Sequence, residues 1–179
     1  MLIESAENKS VPFFCPRLGK SPILRLAKMN IDFKSSAGVL SLCEESFSPS
    51  EGIADFSIRC ELHGKYSGLL DRVFYCRLYK ADASRLLDCY VSCVATVIEG
   101  VSFEPYLYMP LDNDFQIGFL AGAAESYDNG YFFVSFMFNL GGKDDESSNV
   151  YFGFEAEIDF LDMKKFCNDL ASVFSLPKD

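Results

Sequence analysis

The chain offers few residues that could act as a nucleophile, a base or a metal ligand. Its single histidine, His63, follows a predicted strand that contains Cys60. Residues at an odd separation along a strand point to opposite faces, so Cys60 and His63 are not expected to meet as a nucleophile and its base. One histidine also leaves most metal sites short of ligands. We interpret His63 as an exposed residue beside a hairpin turn.

Seven cysteines are spread along the chain without a CxxC pair. Cys89 and Cys93 are four residues apart on a predicted helix, so they share a face and could supply half of a thiolate metal site. No second pair completes that site. An odd number of cysteines without short paired spacings is typical of reduced thiols. The sequence therefore predicts buried free thiols, no disulfide framework, no metal and no cofactor.

Acidic residues are concentrated in one stretch. Residues 99–159 hold twelve of the 26 acids but one of the 16 bases, Lys143. Two carboxylates could serve as acid and base in a hydrolase if their surroundings shifted their pKa values. The same stretch is also rich in rings that must be buried, so its acids are expected to be solvated on loops and on an outer face. This charge asymmetry indicates a partner of opposite charge and opposes nucleic-acid binding.

The spacing of apolar residues predicts an α+β fold. We expect a single domain over residues 1–179, in which a twisted antiparallel sheet, a meander with a half-barrel or sandwich-like shape, packs with two helices. The helices are predicted at about 82–99 and 160–174, with Asp82 and Asp159 as N-caps and Gly100 ending the first. Residues 1–30 contain three prolines and are expected to be irregular.

Strands are predicted on both sides of the first helix. A short apolar run at 37–42, a loop at 44–52 and a hairpin over 55–79 precede it. Four strands follow it, at 103–109, 115–121, 131–140 and 150–158. In the last two, alternation puts eight residues on one face: Phe132, Val134, Phe136, Phe138, Phe152, Phe154, Ala156 and Ile158. Glu155 and Glu157 then stand on the opposite, outer face.

No stretch is apolar and long enough to cross a membrane, and the first residues do not have the pattern of a signal peptide. A cytoplasmic protein without a membrane partner is therefore expected.

The second half of the chain resembles the WapI-like immunity proteins of bacterial contact-dependent toxin systems, of the CDI, Rhs and WapA type. The resemblance covers about residues 55–174 and rests on the order of a few short segments. These are a helix with Leu86, Leu87 and Val94, then Phe103-Glu104-Pro105 with Leu107, Phe115-Gln116-Ile117-Gly118, Phe152-Gly153-Phe154-Glu155, and a last helix with Asp159, Leu161, Phe166 and Leu170.

The resemblance implies a non-enzymatic, stoichiometric inhibitor that binds a cognate toxin domain, often a nuclease with a basic surface. Under that hypothesis an acidic surface would match the toxin's charge. The candidate toxin-binding residues are Asp112, Asp114, Asp128, Asp144, Asp145, Glu146, Glu155 and Glu157. Two alternatives remain open: a small ligand-binding domain or carboxylate-dependent hydrolase with an aromatic pocket, and an acidic protein-interaction module of another kind.

Overall fold

A computed structural model describes residues 28–141 and 150–174. The first sheet contains β1 (Asn30–Ser35), β2 (Gly38–Ser48), β3 (Ile53–Leu62) and β4 (Phe74–Tyr79), with a short 3-10 helix at Gly64–Tyr66 between the last two. Helix α1 (Lys80–Ile98) leads to the second sheet, which contains β5 (Tyr106–Tyr108), β6 (Phe115–Ser126), β7 (Asn129–Asn139) and β8 (Tyr151–Asp159). Helix α2 (Phe160–Val173) follows directly.

Both sheets are antiparallel meanders with neighbours in chain order. The predicted α+β class is therefore confirmed, as are the two helices and the strands after the first helix. The predicted hairpin over 55–79 corresponds to β3 and β4, which pair from Ile53 with Tyr79 to Ile58 with Phe74. Neither described helix is both long and apolar enough to cross a lipid bilayer.

The first sheet is larger than the sequence pattern suggested. The predicted loop at 44–52 is wrong over its first half, because β2 continues to Ser48 through a bulge between Glu44 and Ser46. Phe47 holds this extension by an edge-to-face contact with Phe174, with ring centroids 5.9 Å apart. Strand β1 was not predicted at all. The expected irregular segment ends at Asn30, where β1 begins, and its residues 1–27 lie outside the described residues.

Phenylalanine rings join the two sheets and the helices into one core. Phe33 of β1 packs edge-to-face on Phe136 of β7 and on Phe166 of α2, with centroid distances of 5.4 and 5.2 Å. Phe74 of β4 stacks on Phe138 at 3.9 Å. These contacts involve the inner positions of β7, so the predicted face that carries Phe132, Val134, Phe136 and Phe138 is the buried one.

Asp82 has a different role from the predicted N-cap. Helix α1 begins at Lys80, so Asp82 lies in its first turn, and its carboxylate is 1 % exposed. It accepts hydrogen bonds from the backbone N–H groups of Tyr79 and Leu111, both at 3.0 Å, and from Arg85 Nη2 at 2.7 Å. The carboxylate therefore joins the end of β4, the start of α1 and the segment before β6.

The predicted start of the second helix and the predicted end of the first agree better with the structure. Asp159 occupies the N-cap position of α2, although its side chain makes no capping hydrogen bond. Gly100 follows α1 with a φ of 64°, and its N–H donates to the Val97 carbonyl.

Three further hydrogen bonds fix the edges of the sheets. The Asp114 carboxylate accepts the Arg77 N–H of β4 at 2.8 Å. The turn between β1 and β2 reaches β8, where the Ser36 N–H donates to the Glu157 carbonyl and the Glu157 N–H donates to Ser36 Oγ.

Gly153 of β8 gives a first test of this packing. A Cβ atom at this position would lie 1.8 Å from the Phe136 carbonyl oxygen, on a backbone that cannot move without disrupting β7. We expect Gly153→Ala to lower the free energy of unfolding by about 3 kcal/mol, measured by urea denaturation. Glu155→Ala, in the same strand but exposed, is the control and should cost less than about 1 kcal/mol. Equal effects would contradict the close approach of the two strands.

Asp82 gives a second test. Asp82→Asn keeps the shape but places an amide N–H group against one of the backbone donors, and it removes the charge that faces Arg85. The free energy of unfolding should fall by about 3 kcal/mol. Asp88→Asn, on the exposed face of the same helix, should change it by less than about 0.5 kcal/mol. A loss no larger than that of the control would show that the Asp82 carboxylate does not join these segments.

Candidate protein-binding surface

The strongest candidate surface is the outer face of the second sheet, the face opposite the buried phenylalanines. Cross-strand pairing places the residues of this face in rows that run from strand to strand. One row runs from Leu107 through Gly118 and Ser135 to Glu155, and the next contains Ala121, Phe133 and Glu157. Apolar side chains therefore lie on one side and at the centre of this face, and carboxylates lie along β8.

Several apolar side chains on this face are open to solvent. Phe133 is 46 % exposed and Leu107 is 50 % exposed, although both belong to regular strands. Between them lies Gly118, where a Cβ atom would lie 2.4 Å from Ser135 Oγ, so this position has no room for a side chain. An open groove of about 470 Å³ crosses the face, lined by Ser36, Leu120, Phe133, Glu155, Ala156 and Glu157. Exposed apolar residues that adjoin one another indicate a contact surface.

In the described part of the chain that builds this sheet, all charged side chains are acidic. Residues 99–141 and 150–159, which include all four of its strands, contain nine acids and no base. The side chains of Glu155 and Glu157 are two residues apart on one face of β8, and no described cation forms an ion pair with either. A partner of positive charge would therefore meet no competing base within the described part of this sheet.

The eight sequence-predicted residues do not form one cluster. Glu155 and Glu157 share the outer face, as predicted from the alternation. Asp112 and Asp128 lie at opposite ends of β6, whose 12 residues separate its ends by roughly 36 Å. Asp144, Asp145 and Glu146 lie outside the described residues.

Asp114 faces inward and is 9 % exposed. Because its carboxylate accepts the Arg77 N–H, it holds β4 next to the second sheet. We therefore leave Asp114 out of the surface proposed below. A sequence pattern of acids in a loop does not distinguish this residue from its exposed neighbour Asp112.

Sequence reasoning missed the apolar part of the surface. Phe133 alternates with the buried Phe132 and Val134, so its outward direction could have been read from the same period of two. Leu107 carried no such signal, because β5 is three residues long and its position depends on pairing with β6.

A larger groove lies elsewhere, on the first sheet, and bears on the hydrolase alternative. It measures about 650 Å³ and is lined by Glu45, Asp55, Phe56, Tyr75, Cys76, Arg77 and Asp112. Two of its three carboxylates are engaged by basic side chains: Arg77 donates to both oxygens of Asp55, and Lys28 donates to Glu45 at 2.7 Å. The hydrogen bond from Lys28 and a second from Ser57 lower the pKa of Glu45, which favours its ionised form. Glu45 is therefore unsuited to act as a general acid near neutral pH.

Of the six described cysteines, Cys76, Cys89, Cys93 and Cys167 are buried, and Cys43 and Cys60 are half-buried. Cys89 and Cys93 are buried in α1, and Cys167 is buried in α2. Burial raises the pKa of Cys167 to about 12 and, chiefly for the same reason, that of Cys60 to about 11, so both remain protonated near neutral pH. Within residues 28–141 and 150–174, no group of three histidine, cysteine or acidic side chains is placed to hold a metal ion.

Comparisons of the chain with protein-family models, with curated proteins and with solved structures find no match. The case for the outer face of the second sheet therefore rests on this chain's own charge, exposure and strand register.

Proposed function

We propose that this protein is an immunity protein that neutralises a cognate toxin by direct, stoichiometric binding through the outer face of the second sheet. The observation that carries the proposal is the combination of charge and exposure on this face. The stretch that builds its sheet, residues 99–141 and 150–159, contains nine acids and no base, and the half-exposed Phe133 lies beside Glu155 and Glu157. The resemblance to immunity proteins named above points to the same class.

A nuclease toxin is the partner that this face suits best. Nucleases present lysine and arginine side chains that hold phosphate groups, and an acidic protein surface can occupy the same positive field. Long-range attraction would speed association, while the apolar side chains would supply contact area that excludes water. An inhibitor of this kind needs no catalytic group of its own.

The second alternative, an acidic module that binds another kind of protein, would use the same face. The two proposals differ in the partner and in the consequence of binding. An immunity protein must protect cells that make the toxin, whereas a module of another kind need not.

The gene of an immunity protein is expected to lie directly behind the gene of its toxin, so co-expression with the product of that neighbouring reading frame tests the function. We expect the two proteins to co-purify in equal amounts and to remain together through size-exclusion chromatography. Cells that produce the toxin should grow when this protein is present and stop growing when it is absent. A toxin frame from an unrelated locus serves as the control and should be neither bound nor neutralised. Failure to bind the cognate product, or binding without protection, would refute the immunity proposal.

Charge reversal tests the surface. The double variant Glu155→Lys with Glu157→Lys should reduce the association rate constant by about tenfold or more at low salt, and the remaining rate should depend less on salt. Stopped-flow or surface plasmon resonance measurements at several salt concentrations would give both quantities. The dissociation rate should also rise, because both side chains adjoin Phe133.

A matched control is available on the first sheet and its β2–β3 turn. Glu51→Lys with Glu61→Lys makes the same change in total charge at two exposed positions away from the second sheet. This double variant should slow association less than about threefold, through the change in net charge alone. Equal slowing by both double variants would mean that net charge, and not the outer face of the second sheet, governs the encounter.

A further inference from the structure

The terminal strands of the two sheets differ in how their free edges are protected. An unprotected edge presents N–H and C=O groups that can pair with another strand. On β4 the outward N–H groups of Arg77 and Tyr79 already donate to the carboxylates of Asp114 and Asp82. On the other sheet, β5 is three residues long and lies between Pro105 and Pro110. Neither edge offers a continuous row of free groups.

Strand β8 is protected at one position only. The N–H and C=O groups of Glu157 point away from β7, because both are bonded to Ser36. Backbone direction alternates along a strand, and the pairing of β7 with β8 has no bulge, so Gly153 and Glu155 direct their N–H and C=O groups the same way. Among the described residues, no donor or acceptor meets these groups of Gly153 and Glu155. Within residues 28–141 and 150–174, the edge is therefore open at Gly153 and Glu155.

We propose that this open edge of β8 accepts an extended segment of a protein partner, in which basic residues alternate with apolar ones, as an added antiparallel or parallel strand. The identity of that partner as a toxin rests on the proposed function, but the edge itself does not. Backbone pairing of this kind supplies affinity, and the side chains that flank the edge supply selectivity.

The two faces beside the edge define the segment. On the outer face the Glu155 carboxylate is exposed next to the open backbone groups, with Glu157 two residues further along. On the other face Phe152 is 40 % exposed, and Phe154 is half-buried with its ring stacked on Phe136. An added strand would place alternate side chains against a carboxylate and against a phenylalanine ring.

The negative charge beside the β8 edge favours a basic segment of a partner over a second copy of this chain. A second copy of this chain would bring another sheet without a described base, and the same carboxylates, against this edge, so like charges would oppose self-pairing. Strand β1 is a poorer site for a basic segment, since its exposed row contains Lys34 as well as Asp32. The β8 edge is where open backbone groups and unopposed carboxylates coincide.

A synthetic peptide tests the edge without the toxin. The probe is Thr-Lys-Val-Lys-Val-Lys-Thr with blocked ends, added to the full-length protein and followed by the backbone amide resonances. Gly153 and Glu155 should shift most. When the peptide occupies about nine tenths of the sites, hydrogen exchange at these two amides should slow about tenfold, because only the free tenth exchanges.

Two control peptides separate backbone pairing from simple attraction. A version N-methylated at every internal residue keeps the charges but lacks the N–H groups, and a version with glutamate in place of lysine keeps the N–H groups but has the wrong charge. Neither should protect Gly153 or Glu155. Equal protection by the N-methylated peptide, or no protection by the unmodified one, would overturn the proposal. A dimer in sedimentation whose Gly153 and Glu155 amides are protected without peptide would overturn it in favour of a second copy.

Variants at Glu155 give an independent check. Its N–H group is not part of the β7–β8 ladder, so Glu155→Pro removes an outward donor and the charge, while Glu155→Gln removes the charge alone. Peptide binding should weaken about threefold in Glu155→Gln and at least tenfold in Glu155→Pro. If Glu155→Pro unfolds, the two control peptides added to the unaltered protein still decide whether the edge binds by backbone pairing. A toxin that binds while the peptide does not would leave the proposed function standing and reject the edge.

Discussion

The arrangement of the two sheets depends on buried carboxylates that accept backbone N–H groups. The Asp82 carboxylate bonds to the end of β4, to the segment before β6 and to Arg85, whose guanidinium also donates to the Met109 carbonyl at 2.8 Å. Asp114 adds a bond to the next outward N–H of β4. A buried carboxylate without such donors would be strongly destabilising, so the burial of these acids requires that the sheets meet in this way.

These inward acids explain why the charge of the second sheet is only partly available for binding. Asp114 and Glu155 belong to the same acid-rich stretch, but their surroundings assign them opposite roles. The Asp114 carboxylate accepts a hydrogen bond from the protein's own backbone. The Glu155 carboxylate is exposed to solvent and can attract a cation. Placing the carboxylates on one face of β8 also leaves the apolar Phe133 exposed beside them, since the alternation that directs Glu157 outward directs its cross-strand partner outward too.

Local sequence patterns predicted much of this fold, and they failed where distant contacts decide. The helices and the β5–β8 meander follow from apolar periodicity and from turn residues such as Gly100. The extension of β2 could not be predicted, because Phe47 is held by Phe174 at the other end of the chain. For the surface, alternation correctly placed Glu155 and Glu157. It could not show that Asp114 is buried, because its burial depends on a hydrogen bond to β4.

The open edge of β8 and the acidic outer face both follow from how the free edges of the two sheets are protected. Carboxylates close the β4 edge and prolines border β5, while among the described residues β8 is closed only at Glu157, by the turn that contains Ser36. An edge left open is ordinarily a risk of self-association, and charge on the edge strand is one means by which proteins limit it. Carboxylates on β8 repel a second copy of the same chain but attract a basic segment. The same charges can therefore oppose self-association and favour a basic partner.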